Sequence, residues 1–444
     1  MNQAPTDKPK TTAEIGAALE GYDPSALPAQ AVNDFLDALV LPVTDREDLP
    51  LFEALGRVLA QDVISPVDVP PHDNSAMDGF AFDGQQLQGC ESLALRVVGT
   101  ALAGKAWQGR VGPGECVKIM TGAVMPQALD TVVPQELLTA TVTAKDADGT
   151  ARVTFPARAL RAGDNRRLCG EDLARGQAAL LRGERLTPAR LGLAASLGLP
   201  RVNCFRRLRV AYFSTGDEIL SLGEAPREGA VYDSNRYTVF GLLSRLGCEV
   251  IDMGVVPDEP AALEAAFVEA GQRADAVITS GGVSVGEADH TKAMMRKLGD
   301  VAFWRVAMRP GRPMAVGRLA STGQGRPGAV LFGLPGNPVA VMVTFLAFVR
   351  PALQRMAGCT DSAPPLLKAH SQEKMRKKPG RTEYQRGWVS RAPDGSLQVR
   401  TTGNQGSGVL SSMAEANGLI VLHHDQASTE VGELVDVMMF DGVI

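Results

Sequence analysis

From Leu208 to Met356 the chain repeats one pattern, and that pattern limits the folds open to it. LRVAYFSTGDE runs as an apolar strand into a turn, and NRYTVFGLLSRLG follows with helical spacing. CEVIDMGVVPDEP is a strand ending in acids, PAALEAAFVEAGQ is helical, and DAVITSGG is the next strand. HTKAMMRKLG is a helix and VAFWRVAM a strand. PGAVLFGLPGNP is a strand whose turn opens an apolar helix, Val339 to Met356. Short apolar strands alternating with helices predict a parallel sheet with helices on both faces.

An open sheet of this kind binds ligands beyond the carboxyl ends of its strands. The four tips carry Ser214-Thr215-Gly216-Asp217-Glu218, Pro257-Asp258-Glu259, Ser280-Gly281-Gly282-Val283-Ser284 with Asp289 beyond, and Leu334-Pro335-Gly336-Asn337-Pro338. Glycines let the backbone approach a ligand, and the following helix offers its positive end to an anion. Acids beside such a turn repel a phosphate unless a divalent cation lies between them. Mg²⁺ does this with one or two carboxylates and phosphate oxygens. The alternative for each acid is helix capping or solvation. Asn337 followed by Pro338 also reads as an N-cap and first helical residue.

The rest of the chain has a different texture. Residues 28–41 and 50–60 carry apolar residues at helical spacing. From about Val67 to Val153, short β-like runs (LALRVVG, ECVKIMTGA, DTVVPQE, TVTA, ARVTF) indicate a compact β-rich domain. TPARLGLAASLG reads as a helix capped by Thr187 with Pro188 in its first turn. After Thr360, the runs GWVSRA, SLQVRTT, GLIVLHH and ELVDVMMF indicate a terminal β-domain.

At 444 residues the chain is too long for one core, so several domains are expected. A net charge of −5 argues against a nucleic-acid partner held by a general basic field. No run reaches the ~18 apolar residues of a membrane span. The opening MNQAPTDKPKTT lacks an apolar signal core and reads as a disordered tail. Six cysteines include no C-x-x-C, which fits reduced thiols serving as small buried hydrophobes in a cytoplasmic protein.

Arg305, Arg309 and Arg312 bracket the turn in WRVAMRPGRP, and the last two suit an oxyanion clamp. The run EKMRKKPGRTEYQRG, with Lys374, Arg376, Lys377, Lys378, Arg381 and Arg386, reads equally well as solvated surface. GQGRPG matches a dinucleotide-binding spacing but precedes a strand, so its context fails. Three polar turns, HDNSAMDGFA, MTGA and NRRLCGED, could together form one wall of a site.

In order, DNSAMDGFA, MTGA, RRLCGED, FSTGDE, YDSNR, SGGVSVGEAD, PGRP, LPGNPV and GRTEYQRG resemble the molybdopterin molybdenumtransferase family, to which the gephyrin E domain is related. The resemblance runs from about Pro28 to the end. It implies an α/β multidomain chain: a tail at 1–27, an elongated α/β linker domain at 28–67 and 176–207, and a β-rich domain at 68–175. A doubly wound molybdopterin-binding α/β domain at 208–360 and a C-terminal β-barrel at 361–444 follow. It also implies a homodimer whose cleft lies between the α/β domain of one subunit and the β-rich domain of the other. The implied reaction inserts molybdate into adenylylated molybdopterin and releases AMP, with Mg²⁺ as cofactor and transient contact with the adenylyltransferase that makes the substrate. Neither a nucleic acid nor a membrane is involved.

By this resemblance Asp217, Glu218, Asp258 and Asp289 hold the metal or position water, the last three acting in catalysis with Asp78, Thr121 and Asp172. Thr215, Gly216, Ser280, Gly281, Gly282, Pro335 and Pro338 line the substrate. Molybdate meets Arg309, Arg312, Pro313, Arg381 and Ser407, with a second contact at Ser284 and Asp289, and Arg305 is a further substrate-binding residue. Arg167 and Glu171 join the opposite wall. Many members have lysine where this chain has Arg305, Arg309 and Arg312; arginine keeps the charge but gives up no proton near neutral pH. Two other readings share part of these features: a non-catalytic molybdopterin-binding scaffold, and the adenylyltransferase itself, whose fold covers only 208–360.

Overall fold

The computed structural model describes residues 10–139, 151–283, 290–321, 327–360 and 365–440. At its centre is a six-stranded sheet: β1 (Arg209–Thr215), β2 (Glu249–Val256), β3 (Ala276–Ser280), β4 (Gly299–Arg305), β5 (Pro313–Leu319) and β6 (Val330–Leu334). The spatial order is β2-β1-β3-β6-β5-β4. β1, β2, β3 and β6 pair in parallel, as expected from the alternating pattern. The sheet is nevertheless mixed. β5 runs antiparallel to both β4 and β6 and was not foreseen, because no helix separates it from β4.

Helices α1 (Ser234–Arg245), α2 (Pro260–Arg273), α3 (His290–Leu298) and α4 (Pro338–Met356) cover the sheet. β3 and β6 are buried along their whole length, which accounts for their unbroken apolar runs. α4 is long and apolar enough to cross a membrane, but 78% of its apolar window is buried inside the fold, so it serves as a core helix.

Part of the expected tail is helical. Thr12–Ala18 forms a helix closed by a capping box between Thr11 and Glu14, and Thr12 bonds Asp300 through its N–H and hydroxyl, each at 2.6 Å. Ala29–Leu39 also leaves the expected linker. It buries Val32, Phe35, Leu36 and Leu39 in the core of the α/β domain, with Phe35 edge-on to Trp304 at 4.8 Å. Each such side chain contributes ~1.5–3 kcal/mol of burial.

The remaining linker is a small core of Ala54, Leu59, Val63, Leu180, Leu186, Ala194, Leu197, Val202 and Cys204. In it the segment 50–60, expected as a helix, forms only a single turn at Leu51–Glu53. Gly56 has a φ of +74°, and Val58 and Leu59 bridge to Arg185 and Cys204, so backbone pairing with residues distant in sequence overrides the apolar spacing. Thr187 caps Pro188–Ser196 as expected. Arg206 staples linker to sheet domain through Asp45 at 2.8 Å and a bidentate pair with Asp275 at 2.7 Å.

The β-rich domain holds a five-stranded sheet built from Gly79–Phe82, Ser92–Ala101, Glu115–Ile119, Thr131–Pro134 and Arg152–Pro156. TVTA lies outside the described residues. The terminal domain is a closed barrel of Leu367–Ser371, Thr382–Arg391, Leu397–Thr401, Gly418–Leu422 and Leu434–Met439. Pairing of the second strand with both the third and the fourth closes the ring. The barrel shares a core with the α/β domain: Tyr384, Met413, Leu419, Val421 and Met438 cluster with Phe345, Phe348 and Val210. Met308–Arg309 adds a short parallel strand to the barrel at Thr382–Glu383.

Candidate active site

Three strand tips end level with one another. In register, Ser214 of β1 lies opposite Ser280 of β3, and Ser280 opposite Leu334 of β6. The Gly281 N–H donates to the Leu334 carbonyl at 3.2 Å. Gly281 has a φ of +91°, and a Cβ on it would lie 2.4 Å from the Thr215 carbonyl, so no other residue fits there. Gly282 is as restricted, its missing Cβ facing Thr291 at 2.5 Å. The glycines therefore weld the tips together as well as opening backbone to a ligand.

Beneath the turn lies a buried hydroxyl network. The Tyr212 hydroxyl meets Ser214 Oγ at 2.9 Å and Ser280 Oγ at 2.7 Å. Asn235, from the YDSNR segment, donates through Nδ2 to the Gly336 carbonyl at 2.7 Å. Burial pushes the Tyr212 phenol up, so it stays neutral. This revises the expectation for Ser280: its side chain is 2% exposed and bonded inward, so it supports the turn and offers a ligand no hydroxyl.

The acids occupy the neighbouring tips. Asp217 and Glu218 are exposed after β1, with Gly216 at a φ of +138°. The Asp258 N–H, at the tip of β2, donates to Asp217 Oδ1 at 3.4 Å, and Thr291 Oγ1 donates to Asp258 Oδ1 at 3.4 Å. Asp217 and Asp258 are therefore neighbours across the two tips. Helix capping falls instead to Asp233, whose carboxylate accepts from the Arg236 N–H at 3.0 Å. Ser284 and Asp289 lie outside the described residues. No group of three or more metal-ligating side chains occurs among the described residues. Carboxylates on adjacent tips still suit Mg²⁺, which keeps waters and phosphate oxygens in its shell.

The cationic side is shared with the barrel. Arg305, Arg309 and Arg312 are exposed around the turn before Pro313. Arg309 pairs in register with Glu383. Arg381 is held by the buried Glu383 at 2.6 Å, which fixes its guanidinium beside that strand. Asn337 makes no side-chain cap, contrary to expectation. Its Nδ2 donates to Ser407 Oγ at 2.9 Å, and the Val339 N–H donates to the Ser407 carbonyl at 3.1 Å. Pro338 takes the first helical turn as expected, and Pro335 is buried behind it. The barrel loop at 404–408 thus sits on the tip of β6.

The three polar turns of the β-rich domain also meet. Asp78 Oδ1 accepts from the Thr121 N–H at 2.6 Å and hydroxyl at 2.7 Å. Asp73 Oδ1 accepts from the Cys169 N–H at 2.8 Å, Asn74 pairs with Arg167, and Glu171 accepts from the Leu168 N–H at 2.8 Å. Asp172 lies exposed beside them. Partial desolvation, with the carboxylates of Asp68 and Asp73, raises the Cys169 thiol, which disfavours a thiolate nucleophile. Cys169 and Cys90 are exposed, correcting the expectation that all six cysteines are buried.

The Thr121 hydroxyl, and then its N–H, hold the Asp78 carboxyl below its ordinary value. A depressed carboxyl pKa stabilises the fold above the ordinary value and loses that contribution as pH falls through the depressed one. Thr121→Val removes the hydroxyl and keeps the N–H. The Asp78 pKa then rises toward 3.8 in a carboxyl ¹³C NMR titration. An unmoved value would show that the hydroxyl does not set it.

Tyr212, Asn235, Thr291, Glu383 and Arg386 were not legible as site residues. Asn235, Glu383 and Arg386 did stand inside quoted motifs; Tyr212 was hidden as one aromatic in an apolar strand.

Residues 27–198 match the MoeA N-terminal region (domain I and II), 211–355 the probable molybdopterin binding domain and 368–440 the MoeA C-terminal region (domain IV). A molybdopterin molybdenumtransferase of Haemophilus influenzae is 42% identical over 416 residues, covering 94% of this chain and 98% of the relative. The Nostoc enzyme of the same name is 35% identical, covering 85% of each. A crystal structure of the molybdopterin biosynthesis moeA protein of Pyrococcus horikoshii superposes with a TM-score of 0.77 at 25% identity, covering 94% of this chain and all of that one.

Proposed function

The chain belongs to the molybdopterin molybdenumtransferase family, and from that premise we propose that it inserts molybdate into adenylylated molybdopterin with release of AMP, in a Mg²⁺-dependent reaction. The observation that carries this reading is an arrangement along one edge of one sheet. The Asp217–Asp258 pair sits at the β2 and β1 tips, the glycine turn at β3, and the Asn337–Ser407 contact at β6. From β1 to β6 is two strand spacings, about 10 Å. A pterin carrying a phosphoanhydride can therefore place its charged tail by the carboxylates while molybdate rests near Ser407, Arg309 and Arg381.

Asp217 and Asp258 would hold the metal. Bound there, Mg²⁺ would polarise the phosphoanhydride and offset its charge. The Thr291 hydroxyl orients Asp258, and the phosphate would lie over the half-buried Gly281–Gly282 turn. Arg309 and Arg312 counter the molybdate dianion as fixed charges.

We assign the Asp78–Thr121 and Arg167–Glu171 surface to the opposite wall of the cleft in a homodimer. Asp78 bonds Thr121 and Glu171 bonds Leu168, all within the β-rich domain. Exposed Leu222, Val231, Tyr232, Tyr237 and Phe240 supply apolar surface of the kind a second subunit covers. We place the enzyme in the cytoplasm, receiving its substrate from the adenylyltransferase.

The test is direct: purified protein with adenylylated molybdopterin, molybdate and Mg²⁺ releases AMP in step with cofactor formation. No AMP release with Mg²⁺, Mn²⁺ or Zn²⁺ would leave a binding scaffold as the better reading.

A further inference from the structure

Arg386 lies in the second strand of the barrel and is wholly buried, at 0% exposure. Its Nε donates to Ser412 Oγ at 3.0 Å, and its Nη2 to the carbonyls of Asn404 at 3.1 Å and Gly406 at 2.9 Å. Its backbone is clamped to the same loop: its N–H donates to Gln405 Oε1 at 2.8 Å, and Gln405 Nε2 donates to its carbonyl at 3.2 Å. No carboxylate is among these partners. Burial, and then the charge of nearby Arg309, bring the guanidinium down to about 10.

A buried guanidinium without a counter-anion costs several kcal/mol unless something offsets it. Three neutral acceptors take three of its five N–H groups and leave its charge. The loop it grips carries Ser407, which is joined in turn to Asn337 and Val339 at the β6 tip. The positive charge and the loop geometry therefore point to the same ligand, an oxyanion at Ser407.

We infer that Arg386 is a positioning residue for the oxyanion substrate: it fixes the 404–408 loop so that Ser407 meets molybdate, and its uncompensated charge is answered when that dianion binds. This rests on the transferase reading for the identity of the anion. It extends that reading to a residue bonded to the loop that carries Ser407. In the same basic run Lys374, Arg376 and Lys378 are exposed, while Lys377 is buried against the carbonyls of His424 and Gln426, away from the 404–408 loop. A fold needing only a packed strand gains nothing from such a cation, since an apolar side chain serves there at less cost.

The experiment compares wild type, Arg386→Gln and Arg386→Lys in AMP release and in calorimetric binding of molybdate alone. Arg386→Gln is expected to raise the molybdate KM and Kd about tenfold or more, equivalent to ~1.4 kcal/mol, with the KM for adenylylated molybdopterin changed less than about twofold. Arg386→Lys restores charge without the fork and falls between the two. A purely structural role would lower kcat with both substrates alike and leave the molybdate Kd unmoved, and that result overturns the inference. If Arg386→Gln does not fold, Gln405→Ala frees the loop while the guanidinium stays in place, and it must raise the same molybdate Kd. A wild type that binds molybdate but releases no AMP defeats the transferase reading only; the variant Kd values still judge Arg386. A wild type that binds no molybdate overturns both.

Discussion

Asp258→Asn lowers AMP release from adenylylated molybdopterin about 100- to 1,000-fold, the scale of losing one preorganised electrostatic contact in a closed site. The substitution keeps the size of the side chain and an oxygen able to accept from the Thr291 hydroxyl, which now lies 3.4 Å away. It removes one of the two charges that would hold the metal. The backbone N–H of residue 258 still reaches Asp217 Oδ1. The thermal midpoint should therefore move by less than about 3 °C, as for a substitution costing well under 1 kcal/mol. The dependence on Mg²⁺ should shift to higher concentration, because one carboxylate then does the work of two. Near-wild-type turnover in Asp258→Asn returns Asp258 to an architectural role beside Thr291 and moves the metal toward Asp217 and Glu218.

Mixing two inactive proteins should restore activity if the cleft is built from two chains. Asp78→Ala removes the acceptor of both Thr121 bonds in the β-rich domain, and Asp258→Ala removes an acid at the sheet edge. In a mixed homodimer-type assembly one cleft collects both defects and the other collects neither. Random exchange makes half the dimers mixed, so activity recovers to about one quarter of wild type. The measurement is AMP release after co-refolding or co-expression, with each single variant assayed alone at the same total concentration. A mixture no more active than its components would place both walls of the site in one chain. The expected recovery is large against a background reduced at least 100-fold, so partial exchange still reads clearly.

Much of the sheet domain could be read directly. α1, α2 and α3 and strands β1, β2, β3, β4 and β6 stand where period and punctuation put them, because each is local: an apolar run, a cap, a glycine or proline at its end. β5 was missed because PMAVGRL follows a proline–glycine turn and looks like the tail of the preceding loop; only its pairing with β4 and β6 makes it a strand. The segment 50–60 shows the opposite error. Its apolar spacing suits a helix, yet Val58 and Leu59 find better partners in Arg185 and Cys204, more than 100 residues away in the chain. Ala29–Leu39 kept its helix but changed its domain, because the hydrophobic face was legible and the surface that covers it was not.

The candidate site divides in the same way. The chain alone declared the kinds of groups present: acids after strands, paired glycines, arginines around a proline turn, and an ordered set of motifs specific enough to name a family. These are one-dimensional properties, carried by residue identity and spacing. The direction each group faces was decided by tertiary contacts. Ser280 turned inward because the Tyr212 hydroxyl lies 2.7 Å away; Asn337 left its cap because Ser407 arrived from the barrel; Arg386 became buried because the loop at 404–408 closed over it. Hydrogen bonds and charges act over a few ångströms of space, and sequence distance does not determine which groups come within that range.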